Sequence, residues 1–293
     1  MQSTFGEKLN SNKFIITAEI TPPKGVDASA ALADAKILKG LVDALNITDN
    51  QRAIMRMSPL ALGKLLLERG YEVIMQMTCR DRNRLSIQSD ILGAAALGIG
   101  NICLMSGDHT TNGDHPGAKP VYDLDSVQLL SMVQKMQNGF DISGNELEGV
   151  PELVVGAVSN TDPSQVMQMM KLEKKVRMGA RFIQTQAVYD VGQFEEFTGS
   201  VSHLDIPIIA GLIPLKSANA ARFMNENIPG INVDDEIIAR MESAGNPVQE
   251  GLMICSETIG MLKKTCRGIH LMPIGQHLNT PKLLEMAGLP VRR

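Results

Sequence analysis

Eight short runs of apolar and β-branched residues recur along the chain, each parted from the next by an amphipathic stretch. That alternation restricts the fold more than any other feature. The runs are FIITAEI (14–20), ALNIT (44–48), EVIMQMT (72–78), NICLMSG (101–107), LVVGAVS (153–159), FIQTQAV (182–188), PIIAGLI (207–213) and GIHLMPI (268–274). Their nearly continuous apolar character predicts strands covered on both faces, as in a parallel sheet wrapped by helices. Helix signals fall between them. Ser58-Pro59 supplies an N-cap and a first-turn proline, and Gly70 suits the exit of the same helix. Residues 125–136, 164–179 and 217–226 carry apolar faces, Asn246-Pro247 opens another helix, and Asp234-Asp235-Glu236 sets acidic residues at a helix start.

Eight strand-helix units predict an α/β fold of the (β/α)8 TIM-barrel type. A doubly wound sheet is the alternative, because alternation alone does not prove closure. The count of eight and the absence of a domain-splitting linker favour the barrel, with residues 1–293 as one domain. The stretch 215–267 is too long for one helix and predicts extra helices between strands seven and eight.

Composition excludes several partners. With 28 basic against 32 acidic residues, the net charge of −4 gives no basic face for nucleic acid. No apolar run is long enough to span a membrane, and MQSTFGEKLNSNK lacks the apolar core of a signal peptide. A cytoplasmic location is the expectation. Cys79, Cys103, Cys255 and Cys266 show no CxxC spacing and no disulfide framework.

In such a barrel the chemistry lies where the strands end. Glu19 closes the first strand, just before Pro22-Pro23, and Asn46, Thr48, Asp49 and Asn50 end the second. TCRDRNR (78–84) follows the third, Ser106-Gly107-Asp108-His109 the fourth, and Gln184 and Gln186 lie on the sixth. Glu19 and Asp108 are thus two carboxylates with different surroundings, which suits a proton donor beside an electrostatic stabiliser. Each has a plainer reading: Glu19 paired with Arg80 or Lys24, Asp108 as a turn or capping residue. The three arginines of 78–84 suit either a polyanionic ligand or an ion-paired helix start. The polar loop 107–123 suits a lid or a partner surface, and the spacing of its His109, Asp114 and His115 matches no metal site. Gly98 and Gly100 precede a strand, so they make no dinucleotide fingerprint.

Taken in order, AEITPP (18–23), NITDN (46–50), MTCRDRN (77–83), SGDH (106–109), LEKKVRMGARFIQTQAVYD (172–190) and AGLIPL (210–215) resemble the methylenetetrahydrofolate reductase family, in its short bacterial form that consists of the catalytic barrel alone. The resemblance implies a flavoprotein of one-carbon metabolism and methionine biosynthesis. Such an enzyme reduces 5,10-methylenetetrahydrofolate to 5-methyltetrahydrofolate by hydride transfer from flavin N5. It implies Glu19 as the general acid on folate N10, Asp108 as the carboxylate stabilising the cation that develops, and Gln186 as a folate contact. It places Thr48, Gln76, Ser106, Gly107, Asp108, Ala157 and Lys175 around the cofactor, with Lys175 at its phosphate end. The cofactor implied is FAD, with FMN as the alternative. The chain departs from the well-studied bacterial form at Gln76, Ser106, Val158 and Gln168, where that form has histidine, arginine, tyrosine and aspartate, and at Ala218, where it has a stacking phenylalanine. The electron donor implied is NADH, NADPH or a partner subunit; the CRDRN version resembles forms that work with such a subunit, and an oligomer is expected. Two other readings remain: a pterin-binding methyltransferase barrel, and a non-catalytic barrel subunit that docks a redox partner through 107–123.

Overall fold

A computed structural model describes residues 3–228 and 230–290. The expected domain span of 1–293 therefore includes residues 1, 2, 229 and 291–293, which lie outside the described residues.

The elements run α1 (Thr4–Leu9), β1 (Ile15–Ile20), α2 (Ser29–Leu38), β2 (Ala44–Ile47), α3 (Pro59–Leu67), β3 (Val73–Thr78), α4 (Arg84–Ala96), β4 (Asn101–Met105), α5 (Ser126–Gln137), β5 (Val154–Ser159), α6 (Val166–Arg177), β6 (Phe182–Ala187), α7 (Val191–Ser200), β7 (Ile208–Leu212), α8 (Ala218–Asn227), α9 (Asp235–Ser243), α10 (Pro247–Leu262), β8 (Gly268–Leu271) and α11 (Thr280–Met286). All eight expected strands are present, paired in parallel and in order, and the ring closes through β1 and β8. The fold is the (β/α)8 barrel, and α8, α9 and α10 are the extra helices between β7 and β8. The doubly wound alternative is excluded by the closing pair, in which Ile15 lies opposite Gly268 and Thr17 opposite His270. That seam is tight: a Cβ on Gly268 would stand 2.3 Å from the Ile15 carbonyl oxygen.

Local chemistry starts the helices where expected. Ser58 Oγ accepts from the Leu60 amide ahead of Pro59, Asp125 and Gln128 form a capping box on α5, and Asn246 caps α10 through the Gln249 amide. The strand of 268–274 stops short at Leu271, because Pro273 brings no N–H to the ladder and Ile274 turns to φ 45°.

Alternation along each strand divides the side chains between two cores. Outward residues such as Ile16, Ala18, Ile102 and Leu104 pack against the helices in the main core. Inward residues at the N-terminal end, Ile15, Ala44, Ile74, Cys103, Phe182 and Ile209, close the barrel floor together with Phe5 and Leu9 of α1. Phe5 is fully buried, its ring set edge-on to Phe182 at 5.2 Å. α1 is a plug for which the strand pattern offered no sign. A third cluster, including Tyr189, Ile213, Met224, Ile238 and Met241, seats α8 and α9 beside the far ends of the strands.

Candidate active site

Above the apolar floor the barrel interior turns polar. Thr17, Asn46, Gln184 and His270 point inward from β1, β2, β6 and β8, each at most 3% exposed. Asn46 Nδ2 donates to Gln184 Oε1 at 2.8 Å, Gln184 Nε2 lies 3.3 Å from Thr17 Oγ1, and Thr17 Oγ1 lies 2.9 Å from His270 Nδ1. Buried polar groups need such partners to be tolerated at all.

One turn of the pleat higher, Glu19 reaches the floor of a cavity of about 550 Å³ at the C-terminal mouth. It is 7% exposed. Its Oε2 accepts from Gln51 Nε2 at 3.0 Å, its Oε1 accepts from Gln76 Nε2 at 3.3 Å, and His270 Nε2 stands 3.6 Å from Oε1. Its backbone carbonyl accepts from His277 Nε2 at 3.1 Å. Neither cation offered as its partner reaches it: Lys24 pairs with Asp114 and Arg80 with Asp81.

Most of the other expected residues meet at this cavity. Gln76, Ser106, Gly107 and Asp108 line it from β3 and the β4 loop, and Lys175 and Gln186 line it from α6 and β6. Asp108 is exposed at the rim; Arg80 Nη1 holds its backbone oxygen at 3.1 Å, which leaves the carboxylate free of that guanidinium. Thr48 does not line the cavity: it is fully buried beneath it in the register that points inward, and its Oγ1 has no hydrogen-bond partner. Ala157 is not at the cavity; its side chain faces the helices in the main core, and its neighbour Val158 lines the wall instead. Gln186 reaches the cavity beside Thr185 through an irregularity: β6 spends three residues, from Gln184 to Ala187, where β7 spends two. Gly211 permits it, since a Cβ there would stand 2.4 Å from the Thr185 carbonyl oxygen.

Lys175 is the most perturbed charge at the site. Burial, and then the nearby charge of Lys171, pull its amine down to about 8 from the ordinary 10.5. Its Nζ donates to the Val158 carbonyl at 2.6 Å. Lys171 lines the same wall, and among the described residues neither lysine has a carboxylate within ion-pair distance.

The arginines of 78–84 are committed elsewhere. Arg80 binds Asp81 through two bonds of 2.7 Å, Arg82 binds Asp49 at 2.7 and 3.1 Å, and Arg84 binds Asp123 at 2.8 Å through two nitrogens. Asn83 caps α4. The ion-paired helix start is the reading the structure supports. The loop 107–123 is laced down as well: Asp114 takes Lys24 and the Met55 amide, and Tyr122 Oη donates to the Gly107 carbonyl at 3.1 Å. Among the described residues no group of three or more His, Cys, Asp or Glu side chains is placed to hold a metal ion, and no helix is long and apolar enough to cross a membrane.

Asn46 and Gln184 were among the polar strand-end residues read from the sequence; two residues against Glu19, Gln51 and His270, were not picked out. A polar residue interrupting an apolar strand in the inward phase, as His270 does in GIHLMPI, is the signal that marks the second of them. Gln51 carries no such signal, because it arrives on a loop bent by left-handed Asn50, Arg52 and Ala53. A larger groove of about 790 Å³ lies at the opposite, N-terminal end, between Arg181, Arg267 and Leu204. The polar convergence of the strand ends, and not size, makes the C-terminal cavity the candidate site.

Comparison with known proteins gives a consistent outcome. Residues 4–288 match the family model described as methylenetetrahydrofolate reductase. Methylenetetrahydrofolate reductase 2 of Schizosaccharomyces pombe is 24% identical over 249 residues, covering 78% of this chain and 38% of its own. A probable methylenetetrahydrofolate reductase (NADPH) of Caenorhabditis elegans is 24% identical over 230 residues, covering 75% and 33%. This chain therefore spans little more than a third of the length of the curated relatives it matches. Among solved structures, an uncharacterized protein from Clostridium thermocellum that binds two copies of 5-methyl-5,6,7,8-tetrahydrofolic acid superposes with a TM-score of 0.64 at 17% identity, covering 97% of this chain and 98% of that one. At that identity the likeness concerns the fold.

Proposed function

From the premise that this chain belongs to the methylenetetrahydrofolate reductase family, we propose that it reduces 5,10-methylenetetrahydrofolate to 5-methyltetrahydrofolate at the C-terminal cavity, with Glu19 as the general acid. The observation that carries this reading is Glu19 itself: a buried carboxyl at the end of β1, paired with no lysine or arginine among the described residues, on the floor of an open cavity. The folate-binding protein of the same fold supports the substrate class.

The family implies a flavin, and the residues present fit one. Lys171 and Lys175 put two amines without acid partners on one wall, where a phosphate would balance them. Gln76, Ser106 and Gly107 would complete the holding set, and FAD or FMN would satisfy it. When bound, the flavin supplies the hydride.

The chain's own residues do the rest. Glu19 gives its proton to N10 as the bond from the bridging carbon to N10 breaks, leaving an iminium at N5. The carboxylate left behind accepts from Gln51 and Gln76, which already point at its two oxygens. Asp108 stabilises the cation from the rim, and Gln186 holds the pterin. The purified protein should be yellow. Glu19→Gln should lower turnover by about 10²- to 10⁴-fold while leaving the flavin bound. A protein without flavin affinity, or a Glu19→Gln variant of full activity, would sink this reading.

A further inference from the structure

The polar ladder beneath Glu19 has a direction. Gln184 and Asn46 form a reciprocal amide pair, with Asn46 Nδ2 at 2.8 Å from Gln184 Oε1 and Gln184 Nε2 at 3.3 Å from Asn46 Oδ1. The second hydrogen of that Gln184 nitrogen points to Thr17 Oγ1 at 3.3 Å. Thr17 therefore accepts from Gln184 and must give its own proton elsewhere. Two acceptors lie in reach, His270 Nδ1 at 2.9 Å and the Ile269 carbonyl at 3.5 Å, and the shorter contact takes it. An imidazole that accepts at Nδ1 carries its proton on Nε2. That nitrogen is the one 3.6 Å from Glu19 Oε1. Thr17 and Asn46 are fully buried, so water does not compete for these bonds.

We propose that His270 is a positioning residue for Glu19: the Asn46–Gln184–Thr17 chain locks it as the neutral Nε2–H tautomer, which aims a donor at the carboxylate and holds it for proton transfer. The inference rests on the reading of Glu19 as the acid. It requires no change of oxidation state and no further ligand; the proton on Nε2 stays there. The 3.6 Å separation closes to a bond as Glu19 becomes an anion on giving up its proton. His270 thus acts on the reaction through Glu19, and the three residues behind it act through His270.

The test combines a spectroscopic and a kinetic measurement. In ¹⁵N-imidazole-labelled wild-type protein, with His270→Gln used to assign the resonance, Nδ1 should show the shift of an unprotonated nitrogen and Nε2 that of a protonated one. Thr17→Val keeps the side-chain shape and removes the hydroxyl. It should disturb the tautomer and lower kcat on the order of tenfold, with KM within twofold, and Thr17→Ser should restore both. An Nδ1–H tautomer in active wild-type protein overturns the His270 assignment alone. So does a Thr17→Val protein with wild-type tautomer and kcat. Wild-type protein that shows the Nε2–H tautomer yet does not turn over methylenetetrahydrofolate overturns the reductase reading instead.

Discussion

Lys175→Met exchanges one buried ammonium for an apolar chain of similar length, and the structure sets the size and sign of the effect. The Lys175 amine sits at about 8 in the folded protein, against the ordinary 10.5 expected of the unfolded chain, chiefly because it is buried. Between those two values the unfolded chain binds more protons than the folded one, so stability rises as pH climbs through that window. Below pH 8 the charged amine costs the fold about 3 kcal/mol; by pH 10 about three-quarters of that cost is gone. Methionine never carries the charge. The variant also loses the bond from Nζ to the Val158 carbonyl, about 1 to 2 kcal/mol, and that loss is common to both pH values. The informative quantity is therefore the difference between them: the stability of Lys175→Met relative to wild type should fall by about 2 kcal/mol from pH 7 to pH 10. Urea unfolding of both proteins at each pH, with no phosphate-bearing ligand present, measures it. An equal difference at the two pH values would refute the argument that burial holds a strained charge at this wall. If the strain exists to receive a phosphate, the same variant should lose affinity for the flavin by tenfold or more.

Other perturbations test the scaffold around the site. Gly211→Ala would drive a Cβ to within 2.4 Å of the Thr185 carbonyl; urea unfolding should show a loss of about 1 to 3 kcal/mol, together with weaker folate binding as Gln186 is displaced. Asp49 is 3% exposed and accepts from the Thr78 amide, the Thr78 hydroxyl and Arg82. Asp49→Ala should therefore cost about 3 kcal/mol in the same assay, with Asp90 still holding Arg82. Burial pushes the thiols of Cys103 and Cys255 up to about 12 and that of Cys79 up to about 11. At pH 8 a disulfide reagent should leave these three unlabelled until urea unfolds the chain, with the half-buried Cys266 reacting first.

Much of the barrel was legible in one dimension because its causes are local. A strand covered on both faces must be apolar along its length, so FIITAEI and its seven counterparts announce themselves. Helix starts depend on a cap and the next few residues, and Ser58 and Asn246 cap their helices at the starts expected of them. The position of Glu19 was legible for a related reason: a carboxylate at the end of an apolar barrel strand stands at the C-terminal mouth.

What the sequence by itself determined is thus the strand count, the helical cover, and the set of polar strand ends that face one rim. Tertiary structure decided which of those groups meet. The arginines of 78–84 turned from candidate anion ligands into ion pairs only once Asp49 and Asp123 arrived from distant segments. Gln51 came onto Glu19 through a bent loop, Gln186 reached the cavity across a bulge seated on Gly211, and His270 came beside Glu19 only because β8 closes against β1. The physical reason is the same each time. Periodicity and capping act over a few residues and can be read along a chain, whereas hydrogen bonds and ion pairs across a closed barrel join residues up to 259 positions apart, and only the register of the ring fixes which of them come within reach.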